Sequence, residues 1–382
     1  MARARAGYMD HFFTPASSFF ELARSRPYQL GAEARAKAGV TPDSWRLEVV
    51  PEEPPFRPTL DRALRKDDGT ALTLHDLKAI FRDRPVRCAR AMVCLMNAPR
   101  SGLCSNGLWE GVALRDVLTR LGRIRNARRL YYTGYYSNPV GRFVSSLSMS
   151  EALETPPGQV PAFLAFRLNG DPLPIERGGP VRMLVPWAYG YKSIKWLNRI
   201  VLTNDFRAND TYALLQNNDP QTTRKTAARF DVHAPSAFRR GEPVAIRGVA
   251  IVGLSGLKRV EYWVRPDQGT HGQLDPDDPA WATADWKEIP LPPGPPDDWT
   301  ANLAGGRLPE GVLDVDPATG RPKVWPLPYS WVPWTLRIEG LKPGAYEIRV
   351  RTVDLNDYAQ PEPRPNPQSG NVEVPCLIIL VV

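Results

Sequence analysis

Apolar and polar positions alternate along this chain in two ways, and the change divides it. From about residue 40 to 225 short strand-like and helix-like patterns are mixed. Ser44 to Val50 alternates apolar with polar residues, as a half-buried strand does. Thr73 followed by Asp76 predicts a capped helix start, and Ser148 followed by Glu151 predicts a second. Leu114, Val117, Leu118 and Leu121 share one helical face, and Gly122 ends that helix. Ile194 to Leu202 reads as a buried strand. The long strand–helix alternation of a doubly wound sheet is missing, so this part is α+β.

From about residue 235 the pattern turns to short strands. Val244, Ile246 and Val249, then Val260, Tyr262 and Val264, then Leu336 and Ile338, then Tyr346, Ile348 and Val350 sit among polar neighbours. Leu377 to Val382 closes the chain as a continuous apolar strand. Strands of this length with turn residues between them predict an immunoglobulin-like β-sandwich. Between about 266 and 333 lies a Pro- and Trp-rich insertion, including Leu291 to Pro296, too apolar for a free linker and expected to pack on a domain. The domain boundary falls within Thr226 to Gly241. This gives an N-terminal extension over 1–40, a first domain over 41–230 and a sandwich over 231–382.

Composition narrows the function. The chain has 382 residues, enough for two ordinary domains. No apolar run reaches the roughly 18 residues of a membrane span. The basic N-terminus lacks an apolar run of signal-peptide length, so the expectation is a cytoplasmic protein, or an exported one whose signal is not in this sequence. The net charge of +8 favours anionic partners. Arg120, Arg123, Arg125, Arg128 and Arg129 form the densest basic stretch, which reads as a solvated helix end, and no nucleic-acid-binding signature accompanies it. The four cysteines, Cys88, Cys94, Cys104 and Cys376, form no CxxC pair and no CxxCH, which argues against cysteine-held zinc, an iron–sulfur cluster or attached haem.

Two segments carry candidate chemistry. Cys94 ends the apolar run Ala91 to Val93 and is followed by Asn97, Pro99, Arg100 and Gly102, which turn the chain. A cysteine in such a run packs as a small hydrophobe, unless a positive field makes it a thiolate ligand. Glu176 to Arg182 contains Gly178 and Gly179, and Arg177, Arg182, Lys192 and Lys195 surround the Gly190 turn. Exposed amides and cationic donors in that grouping suit a large anion bearing a phosphate; an ordinary turn with solvated basic residues is the alternative.

These segments, with Trp109 to Leu118 and Lys192 to Leu197, are similar in order and spacing to the sulfite-oxidase family of molybdenum enzymes. Val244 to Gly248, Val260 to Val264 and Arg351 to Asp354 with Gln360 and Pro361 resemble that family's dimerisation domain. The resemblance covers the chain from about residue 40, and Lys192 to Leu197 is its most specific part. It implies a molybdenum–molybdopterin cofactor with Cys94 as the protein's metal ligand. It also implies that Asn97, Ser146, Arg177, Arg182, Ser193 and Lys195, with Lys192 among the phosphate-seeking cations, hold the pterin and its phosphate. Arg24, after Phe19 and Phe20, matches an arginine near the cofactor. The family commonly has histidine where Arg177 stands.

The activity implied is two-electron oxidation of sulfite, or a similar small anion, at an oxo-molybdenum centre. Electrons pass to an external acceptor such as a c-type cytochrome or haem subunit, within a homodimer, and a periplasmic location goes with the family. Arg100 is the candidate for holding the anion. Tyr212 is the candidate for the family's catalytic tyrosine, although its register differs by several residues. The loop after Cys94 is shorter than in typical sulfite oxidases and lacks their paired arginines. The segment from Gln360 to Gly370 follows an atypical bacterial subgroup. A molybdenum-dependent reductase of sulfoxides or other oxyanions is the alternative within the class. A non-catalytic binding protein on the same scaffold is the alternative outside it.

Overall fold

The computed structural model describes residues 7–23, 25–97, 101–137, 142–267, 269, 274–275, 277–360 and 369–382. The first domain holds two sheets. One has the order Glu48–Pro51, Leu197–Thr203, Arg129–Gly134, Val144–Ser148, parallel at the first pair and antiparallel thereafter. The other is antiparallel, with the order Arg182–Leu184, Phe163–Leu168, Cys104–Ala113, Val86–Val93, and Asp171–Pro172 adds to Phe163–Leu168. Between them a core of Trp45, Leu47, Val49, Leu77, Leu118, Leu130, Leu164 and Ile200 excludes water.

Local signals act as their chemistry requires. Thr73 caps the helix Leu74–Asp83, and Asp76 returns the bond to the Thr73 amide at 2.8 Å. Ser148 and Glu151 make the same reciprocal pair at the start of Met149–Leu153. Leu114–Leu118 continues as a 3-10 turn to Leu121, and Gly122, at φ 71°, ends it.

The Ile194-to-Leu202 strand starts later than its hydropathy predicts, at Leu197. Trp196 takes a positive φ of 52°, and the register slips between Leu197 and Arg199. The apolar run continues through Ile194, but the backbone there has left the sheet, which brings Ser193 and Lys195 to a cavity.

The Val86–Val93 strand is buried on both faces. Cys88, Met92 and Cys94 point into one cluster; Ala89, Ala91, Val93 and Leu95 point into another, with Val249, Ile251 and Trp331. Two-sided burial explains the uniformly apolar run Ala91 to Leu95.

The second half is a two-sheet sandwich. Ala227–Phe230, Val244–Ile251 and Trp331–Ile338 form one sheet; Ala237–Phe238, Cys376–Val381, Gly344–Val353, Arg259–Pro266 and Lys287–Ile289 form the other. Val244, Ile246, Trp334 and Leu336 meet Val260, Ile348, Val350 and Leu377 between them. The sandwich begins at Ala227, because that strand pairs with Val244–Ile251.

The Pro/Trp-rich insertion packs on the first domain. Leu313 donates to the Arg87 carbonyl at 2.9 Å, and Arg90 pairs with Asp314 at 2.9 Å. The N-terminal segment is equally well seated. Phe13 stacks on Trp299 and Phe12 meets it edge-to-face, and Trp331 Nε1 donates to the Phe12 carbonyl at 3.0 Å. Among the described residues no helix is long and apolar enough to cross a membrane.

Candidate functional site

The Val86–Val93 strand delivers Cys94 to the wall of a cavity of about 350 Å³. Arg177, Arg182, Ser193, Lys195 and Tyr212 share that wall. Residues distant in sequence meet here: Arg177 from a 3-10 turn, Arg182 from a strand, Ser193 and Lys195 after the Gly190 turn, and Tyr212 from a helix. Gly190 allows one close approach, since a Cβ at that position would stand 3.1 Å from Met92 Sδ and 3.2 Å from the Val93 carbonyl.

Arg177, Arg182 and Lys195 form a cationic end. Arg182 is buried and donates to the Arg177 carbonyl at 2.8 Å and the Ser193 carbonyl at 2.5 Å, with its guanidinium over the Trp109 ring. Its Nε has no hydrogen-bond partner among the described residues. Burial, then the Arg177 guanidinium, pulls Arg182 down to about 9, which leaves it cationic at neutral pH. Arg177 donates to the Ala16 carbonyl at 2.9 Å and lies 3.9 Å from the Glu21 carboxylate. Lys195 donates to the Glu176 carbonyl at 2.8 Å; burial, followed by repulsion from Arg182 and Arg177, brings its ammonium down to about 7. Gly178, at φ 103°, makes room for this lysine: a Cβ there would lie 2.8 Å from Lys195 Cγ.

A further part of the lining is aromatic. Tyr212 meets Tyr191 edge-to-face at 4.3 Å and Phe143 at 5.2 Å, and Tyr136 lies nearby on the same cavity. Tyr212 rides on the helix Thr211–Gln216, which Asp210 caps through the Ala213 amide at 3.0 Å. Phe19, Phe20, Leu22, Ala23 and Ser25 from the N-terminal segment complete the enclosure. Hydropathy did not single these out as site residues, nor Tyr136, Phe143 and Tyr191; the adjacent pair Phe19 and Phe20 was the one available signal.

Three expected cofactor contacts stand behind the cavity rather than on it. Asn97 closes the loop after Cys94, its Oδ1 accepting from the Leu103 amide at 2.8 Å and the Ser101 hydroxyl at 2.7 Å. Lys192 donates to the Ser146 carbonyl at 2.7 Å and pairs with Asp210, and the Ser146 hydroxyl donates to Asp210 at 2.8 Å. Arg24 and Arg100 lie outside the described residues.

Burial raises the Cys94 thiol above its ordinary range, opposed by a hydrogen bond from the Met96 amide. A metal that displaces the proton would supply the positive charge a thiolate needs here. Among the described residues no three His, Cys, Asp or Glu side chains gather as a metal site. A single buried thiol suits a metal that brings its other ligands on an organic cofactor. Three cations on the same cavity, one with an unsatisfied buried Nε, suit that cofactor's phosphate. The residues present fit molybdopterin.

Residues 37–211 match the family described as oxidoreductase molybdopterin binding domain. Mitochondrial sulfite oxidase of Rattus norvegicus is 32% identical over 43% of this chain and 30% of its own length. That of Drosophila melanogaster is 26% identical over 83% of this chain and 54% of its own. An NADPH nitrate reductase of Fusarium oxysporum is 35% identical over 26% of this chain and 11% of its own. Each match thus spans only part of a longer relative. Among solved structures, the sulfane dehydrogenase SoxCD from Paracoccus pantotrophus has the same fold, with a TM-score of 0.63 at 17% identity over 97% of this chain and 84% of that one.

Proposed function

We propose that this chain, which belongs to the sulfite-oxidase type of molybdopterin-dependent oxidoreductases, oxidises a small sulfur oxyanion, sulfite first among them. The observation that carries this reading is the convergence of Cys94 with Arg177, Arg182 and Lys195 on one cavity. When bound, molybdopterin supplies a molybdenum centre that exchanges an oxygen atom and two electrons with substrate. Cys94 would hold the metal, and Arg177, Arg182, Ser193 and Lys195 would hold the pterin and phosphate. Phe19, Phe20 and Trp196 add apolar rings to the same lining. The balance is sulfite plus water giving sulfate, two protons and two electrons. The electrons would pass to an external acceptor of the c-type cytochrome or haem-subunit kind.

A second reading within the class is reduction of sulfoxides or other oxyanions. The ring cluster of Phe143, Tyr191 and Tyr212 favours it, because aromatic walls suit a substrate with an apolar body. The nitrate reductases among the relatives are compatible with it.

The deciding experiment is a steady-state assay of molybdenum-replete protein. Sulfite with ferricyanide or cytochrome c is run beside sulfoxide and nitrate with a reduced viologen. Sulfite turnover that falls sharply in Arg100→Ala supports the first reading and the role of Arg100. Reductase activity without sulfite turnover replaces it with the second. Pairing through the sandwich into a two-fold homodimer, and a periplasmic location, belong to the same proposal. A monomer by light scattering at micromolar concentration, with cofactor bound, removes the homodimer.

A further inference from the structure

The Cys94 strand and loop are tied from behind by residues at the end of the first domain and in the sandwich half. Arg224 donates to the carbonyls of Ala91 and Tyr329, and to that of Pro186 at 3.1 Å. The Asn371 amide donates to the Leu95 carbonyl at 3.0 Å. Arg229 donates to the Asn97 carbonyl at 3.3 Å, the Asn371 carbonyl at 2.7 Å and the Ala228 carbonyl at 2.7 Å. Positions 91, 95 and 97 therefore each have an anchor, and Cys94 lies between them.

This pattern exceeds what domain packing needs. Arg229 is 3% exposed, it makes no ion pair among the described residues, and its Nε has no partner there. A buried unpaired guanidinium is costly, and an apolar side chain would fill the space at lower desolvation cost. The guanidinium does what an apolar group cannot. It joins two carbonyls of separate segments, one on the Cys94 loop and one on the segment that leads into the last strand. Groups behind a metal ligand orient it, and their loss typically weakens metal binding or activity.

We infer that Arg229 and Asn371 are positioning residues for the Cys94 loop, so that the sandwich, besides its own packing, sets the direction of the thiol. This rests on the reading of Cys94 as the molybdenum ligand.

The test compares molybdenum-loaded wild type with Arg229→Met, Arg229→Lys and Asn371→Pro. Molybdenum retained per chain after dialysis is measured, with the sulfur-to-metal charge-transfer absorption and the electron paramagnetic resonance of the one-electron-reduced metal. Arg247→Met is the control: it cuts pairs with Asp10 of the N-terminal segment and with Asp231 of the sandwich half, and none with the Cys94 loop. Arg229→Met and Asn371→Pro are expected to weaken metal retention about 10- to 100-fold and to shift both spectra at unchanged far-UV circular dichroism. Arg229→Lys should recover part of the effect, and Arg247→Met should leave metal and spectra as in wild type. If Arg229→Met does not fold, Arg229→Lys and Asn371→Pro decide by the same readings. Wild-type retention and spectra in the folded variants overturn the inference while the molybdenum reading stands. A wild-type chain that takes up no molybdenum overturns both.

Discussion

Lys192 Nζ lies 3.3 Å from Asp210 Oδ2, and both side chains are almost fully buried behind the cavity. The lysine that resembles a cofactor contact is thus committed to an internal pair. Asp210 also caps the helix that carries Tyr212. Asp210→Ala leaves a buried ammonium without its counter-charge and is expected to cost about 3–5 kcal/mol. The double change Lys192→Met with Asp210→Ala should recover much of this. Urea unfolding of the four proteins in the cycle measures it; a single change costing under about 1 kcal/mol would mean the pair behaves as a surface one.

Lys195 makes the cofactor-free protein pH-sensitive in a definite direction. Its folded value, about 7, lies below its ordinary one near 10.5, so between these the unfolded chain binds more protons. Stability therefore rises with pH across that window, and the penalty is complete below about 7. A bound phosphate draws the proton back, so retention of the cofactor should weaken as pH climbs above 7, by up to about tenfold per unit. Lys195→Met should flatten both profiles; thermal melts and dialysis between pH 6 and 10 read them.

Arg182→Met separates binding from folding. The variant loses two bonds to carbonyls but also removes a buried cation without a carboxylate partner. The expected change in cofactor-free stability is within about 1 kcal/mol, while cofactor retention falls by at least about tenfold. A variant that unfolds without losing affinity for the cofactor would assign Arg182 to packing instead.

Gly178→Ala tests the seat of Lys195. The new methyl meets Lys195 Cγ at 2.8 Å in a left-handed backbone. A loss of about 1–2 kcal/mol is expected, with weaker cofactor retention because the ammonium is displaced. Unchanged melting and retention would show that the lysine moves aside freely.

Cys94→Ser should keep the fold, because the thiol contributes little to a cluster held by Phe19, Met92, Trp109 and Phe163. Metal analysis is expected to fall from about one molybdenum per chain to near none. Full metal content in that variant would remove Cys94 from the site.

The sequence by itself determined the elements whose causes are local. The capping pairs Thr73 with Asp76 and Ser148 with Glu151, the Gly122 stop and the alternating sandwich strands each depend on neighbours within a few residues. It also marked Cys94, Arg177, Arg182, Ser193, Lys195 and Tyr212, which share one cavity. Tertiary structure decided which cations face that cavity. Lys192 and Lys195 look alike in sequence, yet the left-handed turn at Trp196 and the buried carboxylate of Asp210 send them to different environments. Only the fold brought Phe19 and Phe20 from the N-terminal segment over the cavity, and Arg229 and Asn371 from beyond the first domain behind the Cys94 loop. Periodicity reports which face of an element is buried; what lies against that face depends on contacts between residues far apart in the chain.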